Sequence, residues 1–222
     1  DKDGFDSTSV TGGKDCDDTN QFVNPSAEEI PFDSTDQNCD GSDLVTAGSF
    51  EVAATTTSSW PRVSYNGTDY LVVWYQYASP NYTIKAQRIS KTGSKVGSVI
   101  TVATTASPTY NYDPDVASDG TGWLVVWRQY TSGTTPTYAI MGQRLTSAGA
   151  LNGAAVTIRP TTAGYYKYWP RVAYGGGKYA VAWRERNQSA SPYKYLVMAQ
   201  LIDATTGALS GTVKTASTAT YS

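Results

Sequence analysis

The chain has 222 residues, a formal net charge of −2, no histidine and two cysteines, which suits one large all-β domain or a medium domain with a small appendage. Its charge is unevenly divided: residues 1–43 carry twelve Asp and Glu against Lys2 and Lys14, a net of −10, and residues 44–222 carry seven acids against fifteen Lys and Arg, a net of +8. No run approaches the roughly 18 apolar residues of a membrane span, no lysine-rich patch interleaved with aromatics marks a nucleic-acid surface, and abundant Thr, Ser, Tyr and Val predict strands with almost no helix.

The chain opens inside an acidic motif, with no initiator methionine or signal peptide, and reads as a mature or trimmed product. "DKDGF" sets Asp1 and Asp3 two apart before Gly4, the latter part of a DxDxDG calcium loop in which alternate carboxylates converge and glycine allows the sharp turn. Further on, Asp15, Asp17, Asp18, Asn20, Glu29, Asp36, Asn38, Asp40 and Asp43 offer oxygen ligands only. Such hard donors suit Ca2+, whereas the histidines and additional free thiols that copper or zinc would favour are absent.

Cys16 and Cys39 are the only cysteines, and a segment this polar buries too little apolar surface to fold unaided. A disulfide closing a loop of about two dozen residues would stabilise it by roughly 3 kcal/mol in the chain-entropy model and would imply an oxidising compartment. A thiolate metal pair is the alternative. Composition alone would also suit a solvated, disordered acidic tail; the paired cysteines with Pro25, Ile30 and Phe32 favour an ordered unit.

Residues 14–44, with "DCDD", then "NPSAEEI", then "DQNCDGSD" in order, resemble the MopE-type metal-binding motif of bacterial surface proteins. The resemblance implies a metal role for Asp15, Asp17, Asp18, Glu29, Asp36, Asn38, Asp40 and Asp43. Ser26 stands where that family has glycine, a departure that touches a turn and not the ligands.

The remainder repeats itself. "WPRVSYNGTDYLVVWYQY" from Trp60, "DPDVASDGTGWLVVWRQY" from Asp113 and "WPRVAYGGGKYAVAWRER" from Trp169 align, with Pro61, Pro114 and Pro170 spaced by 53 and 56 residues. Gln87, Gln143 and Gln200 keep the register, as do Gly97, Gly153 and Gly211. A period near 55 residues with strand and turn signals predicts one supersecondary unit copied three times, over about 49–105, 106–161 and 162–222. Asn66-Gly67, Asp119-Gly120 and Gly175-Gly176 are hairpin signals. Each copy reads as strand, tight turn, strand, longer loop, strand, Gly-rich turn, strand. The second strand, "YLVVW", "WLVVW" or "YAVAW", is apolar throughout, so both its faces need cover.

Stacked four-stranded units of this period describe blades of a β-propeller, and residues 49–222 resemble bacterial secreted propeller repeats. The expected class is therefore all-β, an acidic calcium-binding module over 1–44 followed by three propeller-like repeats over 45–222. Familiar propellers close with about four to eight blades. Three repeats thus predict self-association or further blades of a longer chain, with "SFEVAAT" as a fourth-strand segment able to swap or close.

Trp74, Trp127 and Trp183 read as packing between blades, and the three glutamines as hydrogen-bonding ladder residues. No histidine is available for a nucleophile dyad, no phosphate-binding glycine loop precedes a helix, and the acids beyond residue 43 are scattered singly, so the expectation is that the chain is not an enzyme. The leading functional expectation is a calcium-stabilised extracellular structural or adhesive module, part of a surface fibre or larger surface protein. The alternative is a carbohydrate-binding propeller with Trp60, Arg62, Trp169 and Arg171 as ligand surface.

Overall fold

The computed structural model describes residues 3–29, 35–42, 51–53 and 57–220. The chain divides into two compact units, Asp1–Phe50 and Glu51–Ser222. Asp1 and Asp43 of the expected ligand set, and Ile30 and Phe32, lie outside the described residues.

The second unit holds twelve strands: β1 Ser58–Tyr65, β2 Asp69–Ala78, β3 Asn81–Ser90, β4 Lys95–Ala106, β5 Thr109–Ser118, β6 Gly122–Thr131, β7 Thr137–Thr146, β8 Leu151–Arg159, β9 Tyr165–Gly175, β10 Lys178–Asn187, β11 Lys194–Asp203 and β12 Leu209–Thr220. They form three antiparallel four-stranded sheets, β1–β4, β5–β8 and β9–β12, each a simple meander. This is the strand order expected of each repeat. Residues 51–53, the described part of "SFEVAAT", are not in a strand.

Two irregularities recur in every sheet and explain the repeated residues. The first strand slips register against the second beside Pro61, Pro114 and Pro170, and the residue before each proline has positive φ: Trp60 at 64°, Asp113 at 53° and Trp169 at 52°. Positive φ is uncommon for residues with a β-carbon, so the surrounding pairing must impose it. The third strand slips against the fourth just beyond Ala86, Gly142 and Ala199. There the side-chain amide of the next residue replaces the missing ladder bonds: Gln87 Nε2 donates to the carbonyls of Arg88 and Val96, Gln143 Nε2 to Arg144 and Gly153, and Gln200 Nε2 to Leu201 and Ser210. All three glutamines are buried, and a buried polar group without such partners would be costly.

Apolar side chains fill the two seams between sheets. Leu71, Val73, Ile84 and Ala86 of the first sheet pack with Val116, Trp123, Val125, Trp127 and Leu145 of the second. Leu124, Val126, Ile140 and Ile158, on the opposite face of the second sheet, pack with Tyr179, Val181, Trp183, Met198 and Ile202 of the third. Among the described residues the middle sheet alone packs against a sheet on each face, and its second strand is buried continuously from Gly122 to Trp127. At the ends the outward residues are open in part: Tyr70 in β2 and Ala180 in β10 are exposed, Val72 and Ala182 half-buried. Trp127 and Trp183 pack in the seams as expected, whereas Trp74, also buried, lies on the face of the first sheet turned away from the second.

Candidate functional site

In the first unit a chain of short turns is tied by the Cys16–Cys39 disulfide, whose Cα atoms are 5.6 Å apart. The pairing removes both thiolates from metal chemistry, closing the thiolate alternative. Ser7 and Asp15 form an isolated parallel bridge, with Lys14 N and Asp15 N both donating to the Asp6 carbonyl.

Most of the expected ligand side chains fold back onto nearby backbone amides. Asp15 Oδ1 accepts from Asp17 N, Asp17 Oδ1 from Thr19 N and Asn20 Oδ1 from Phe22 N. Glu29 Oε1 accepts from Asn38 N at 2.7 Å, bringing together two parts of the motif nine residues apart. Asp36 accepts from Asp40 N and Gly41 N, Asn38 Oδ1 from Asp40 N, and Asp40 Oδ1 from Ser42 N. Asp3 Oδ1 accepts from Phe5 N. Hydrogen bonds from Thr19 hold the Asp17 carboxyl below the usual range, and those from Ser42 lower Asp40.

These contacts turn the carboxylates to local amides. Among the described residues no three of His, Cys, Asp or Glu converge as a metal cluster. The observation bearing on metal fit is Asp15, fully buried with Oδ2 lacking a hydrogen-bond partner among the described residues. A buried carboxylate oxygen of this kind needs a cation or donor. The donor set is oxygen only, which fits a hard cation and not copper. No signal in sequence distinguishes Asp15 from its exposed neighbours Asp17 and Asp18.

In the second unit the proposed ligand-surface residues occupy matching places on β1 and β9. Trp60 is 47% exposed and Trp169 43%. Arg62 Nε lies 3.8 Å from Asp115 Oδ1, and Asp115 Oδ2 accepts from Val172 N. The row Arg62, Asp115, Arg171 therefore alternates in charge across the three first strands. Burial raises the Asp115 carboxyl above its ordinary range, against the pull of Val172 N and Arg171.

Several of the acids that stand singly in sequence are used structurally. Asp113 pairs with Arg128 at 2.8 Å, and Glu185 pairs with Arg159 at 2.7 Å while accepting from Trp183 Nε1. Lys167, fully buried, is pushed down to about 8 by burial, against the attraction of Glu185. Sequence reasoning missed this buried cluster. Its available signal is Lys167 and Glu185 standing where the second repeat has Asn111 and Gln129.

Also missed is a tyrosine array crossing both seams: Tyr82 meets Tyr110 at 4.5 Å, Tyr130 meets Tyr138 at 5.0 Å and Tyr138 meets Tyr166 at 4.5 Å. A cavity of about 430 Å³ at the second seam is lined by Asp119, Arg144, Tyr174 and Tyr179 among others. Asp119 is occupied by the amides of Thr121 and Gly122, and Arg144 by the carbonyls of Ala204 and Thr205, so these groups serve as a joint between sheets.

The class so defined is an all-β chain of three stacked four-stranded meanders with a disulfide-tied acidic unit. The copper-binding MopE family model, described as "Putative metal-binding motif", matches residues 15–43, the acidic unit and not the sheets. No curated protein matches the chain. Among solved structures it is similar to a mutant of Synechocystis apocarotenoid oxygenase, with 11% identity, a TM-score of 0.45, and 72% of this chain and 38% of that chain covered. It is similar also to an ACO/RPE65 chimera, with 10% identity, a TM-score of 0.44 and the same coverage. The chain thus spans well under half the length of these structures.

The expectation that the chain is not an enzyme does not stand, the solved structures matched being those of an oxygenase and of a chimera. At such identity and TM-score they assign no activity or substrate to this chain. Among the described residues no helix is long and apolar enough to cross a membrane.

Proposed function

We propose that the chain is an extracellular structural or adhesive module, stabilised by calcium and belonging to a surface fibre or larger surface protein. The observation that carries this reading is the matched acidic motif: its donors are all oxygen, its two cysteines are joined, and the buried Asp15 Oδ2 lacks a partner. Calcium takes six to eight oxygen ligands, which Asp15, Asp17, Asp18, Asn20, Glu29, Asp36, Asn38 and Asp40 would supply by exchanging local amide contacts for the ion. The disulfide fits an oxidising, extracellular setting.

The sheets supply the other half of the reading. They stack like successive blades of a propeller, and each end of the stack presents apolar residues of the kind that sheets bury against neighbours. Assembly with further blades, of the same longer chain or of other copies, accounts for both ends. The test is a melt of the acidic unit with calcium and with a chelator: calcium should raise its transition by several degrees, and an unchanged transition would overturn the calcium reading.

A second reading, binding of carbohydrate, is favoured by the half-exposed rings of Trp60 and Trp169, since exposed aromatic faces suit sugar rings. A glycan array without a binder at high protein concentration would dispose of it.

A further inference from the structure

The open face of the third sheet differs from its counterparts in one specific way. Aligned on Trp74, Trp127 and Trp183 and on Gln87, Gln143 and Gln200, the face that each sheet turns toward the next comprises Leu71, Val73, Ile84, Ala86 and Arg88 in the first sheet. In the second it comprises Leu124, Val126, Ile140, Gly142 and Arg144, and in the third Ala180, Ala182, Val197, Ala199 and Leu201. The first two sets contain the buried aliphatics of the seams. Where Ile84 and Ile140 are fully buried, Val197 is 44% exposed, and Leu201 is 43% exposed.

Polar residues above this patch also lack what their counterparts have. Arg128 is paired with Asp113; its counterpart Arg184 has Trp169 in place of that aspartate and is held by rings alone, 4.2 Å from Trp169, 4.9 Å from Tyr195 and 5.1 Å from Tyr168. Nε of both arginines is buried with no hydrogen-bond partner among the described residues, so the difference between them is the carboxylate beside Arg128. On the first strands, Arg62 meets Asp115 of the next sheet and Asp115 is itself drawn by Arg171, so a carboxylate at this place in a following sheet would continue the alternation beyond Arg171. The chain's own first sheet offers Arg62 there, a like charge.

We propose that the open face of the third sheet docks a further four-stranded repeat whose first strand carries a carboxylate at the place of Asp115, and that it selects against a copy of this chain's first sheet. The proposal rests on the assembly half of the reading above and adds the chemistry of the partner. The apolar patch supplies adhesion, because it continues the faces already buried at both seams. The guanidinium of Arg171 supplies selection, because like charges brought together out of water are strongly disfavoured. Leu201 replaces the arginine that Arg88 and Arg144 use to reach the carbonyls of Ala148 and Ala204 across each seam, so this joint lacks that latch and depends more on the charge pairing.

The test appends one more repeat, a copy of residues 107–161, after Ser222 of the full chain, and prepares the same chain with Asp115→Arg or Asp115→Asn in the appended copy alone. Hydrogen exchange at Ala180–Ala182 and Val197–Leu201 is the readout, and protection of the appended copy's own β6 segment reports that it has folded. The expected result is at least tenfold slower exchange at these amides with the aspartate copy, less with asparagine, and least with arginine. Equal protection by the aspartate and arginine copies would overturn the charge selection while leaving assembly by stacking intact. A folded copy that protects none of these amides would overturn the docking face itself. The unextended chain should sediment as a monomer at physiological salt; a dimer protecting Val197 and Leu201 would make a second copy the occupant and would also overturn the proposal.

Discussion

Arg159 Nε, at the end of the second sheet, lies 2.7 Å from Glu185 Oε1 in the third, and the same carboxylate oxygen accepts from Trp183 Nε1. Glu185 is fully buried and is also the attractive charge acting on buried Lys167. One carboxylate thus serves two cations at the second seam. Glu185→Gln should lower the stability of the body by about 3 kcal/mol, because it strands both cations in a poorly solvated place. Arg159→Gln should cost less, about 1 kcal/mol, since Lys167 remains to neutralise Glu185. Urea titration of the two variants checks the ranking.

Lys167→Met should stabilise the body at pH 7. Burial pushes the lysine down to about 8 from an ordinary value of 10.5, so the unfolded chain holds its proton more tightly than the folded one. The penalty is complete below about pH 8 and fades as pH rises toward 10.5. The variant should gain about 2 kcal/mol at pH 7, allowing for the lost attraction to Glu185, and roughly half of that by pH 9.5. A gain independent of pH would refute the cause assigned.

Gly149 and Gly153 separate backbone conformation from close packing. Both have positive φ, 84° and 75°. A β-carbon on Gly149 would lie 2.6 Å from Ile100 Cδ1 and 3.1 Å from Arg88 Cδ in the neighbouring sheet, whereas one on Gly153 would meet nothing within 4 Å. Gly153→Ala should cost about 1 kcal/mol for the left-handed backbone alone, and Gly149→Ala about 1–2 kcal/mol more for the clash at the seam. Equal thermal shifts would contradict the packing at the first seam.

The repeats were legible because their signals are local. An apolar "YLVVW" between a hairpin turn and a longer loop, and a glutamine at fixed distance from a glycine, reflect buried strands and a recurring bulge, and these occur three times. What the sequence hid depends on neighbours far away in the chain. Leu201 looks like any core aliphatic beside Gln200, yet it is 43% exposed, because no sheet among the described residues packs on that side. Trp60, Asp113 and Trp169 align as one column, although the aspartate is buried against Arg128 and both tryptophans are open. In the acidic unit the cysteine pair was legible because no other pairing exists; the burial of Asp15 was not, since its contacts, among them the bridge to Ser7, leave no periodic trace.

Replacing Cys16 and Cys39 together by alanine should destabilise the acidic unit by about 3 kcal/mol, the chain-entropy value for a loop of this size, with the body unchanged. Separate tryptophan and backbone signals allow the comparison, because all six tryptophans lie in the body and none before residue 60. A shift of the tryptophan transition would contradict independent stabilisation of the two units.

The central claim is that the acidic unit is a calcium site, and titration calorimetry of the full chain tests it most directly. Calcium should bind saturably, Asp15→Asn and Asp36→Asn should each weaken binding at least tenfold, and copper(II) under the same conditions should give no site that these substitutions remove. Absence of calcium binding at millimolar concentration, or a copper site lost with the same carboxylates, would contradict it.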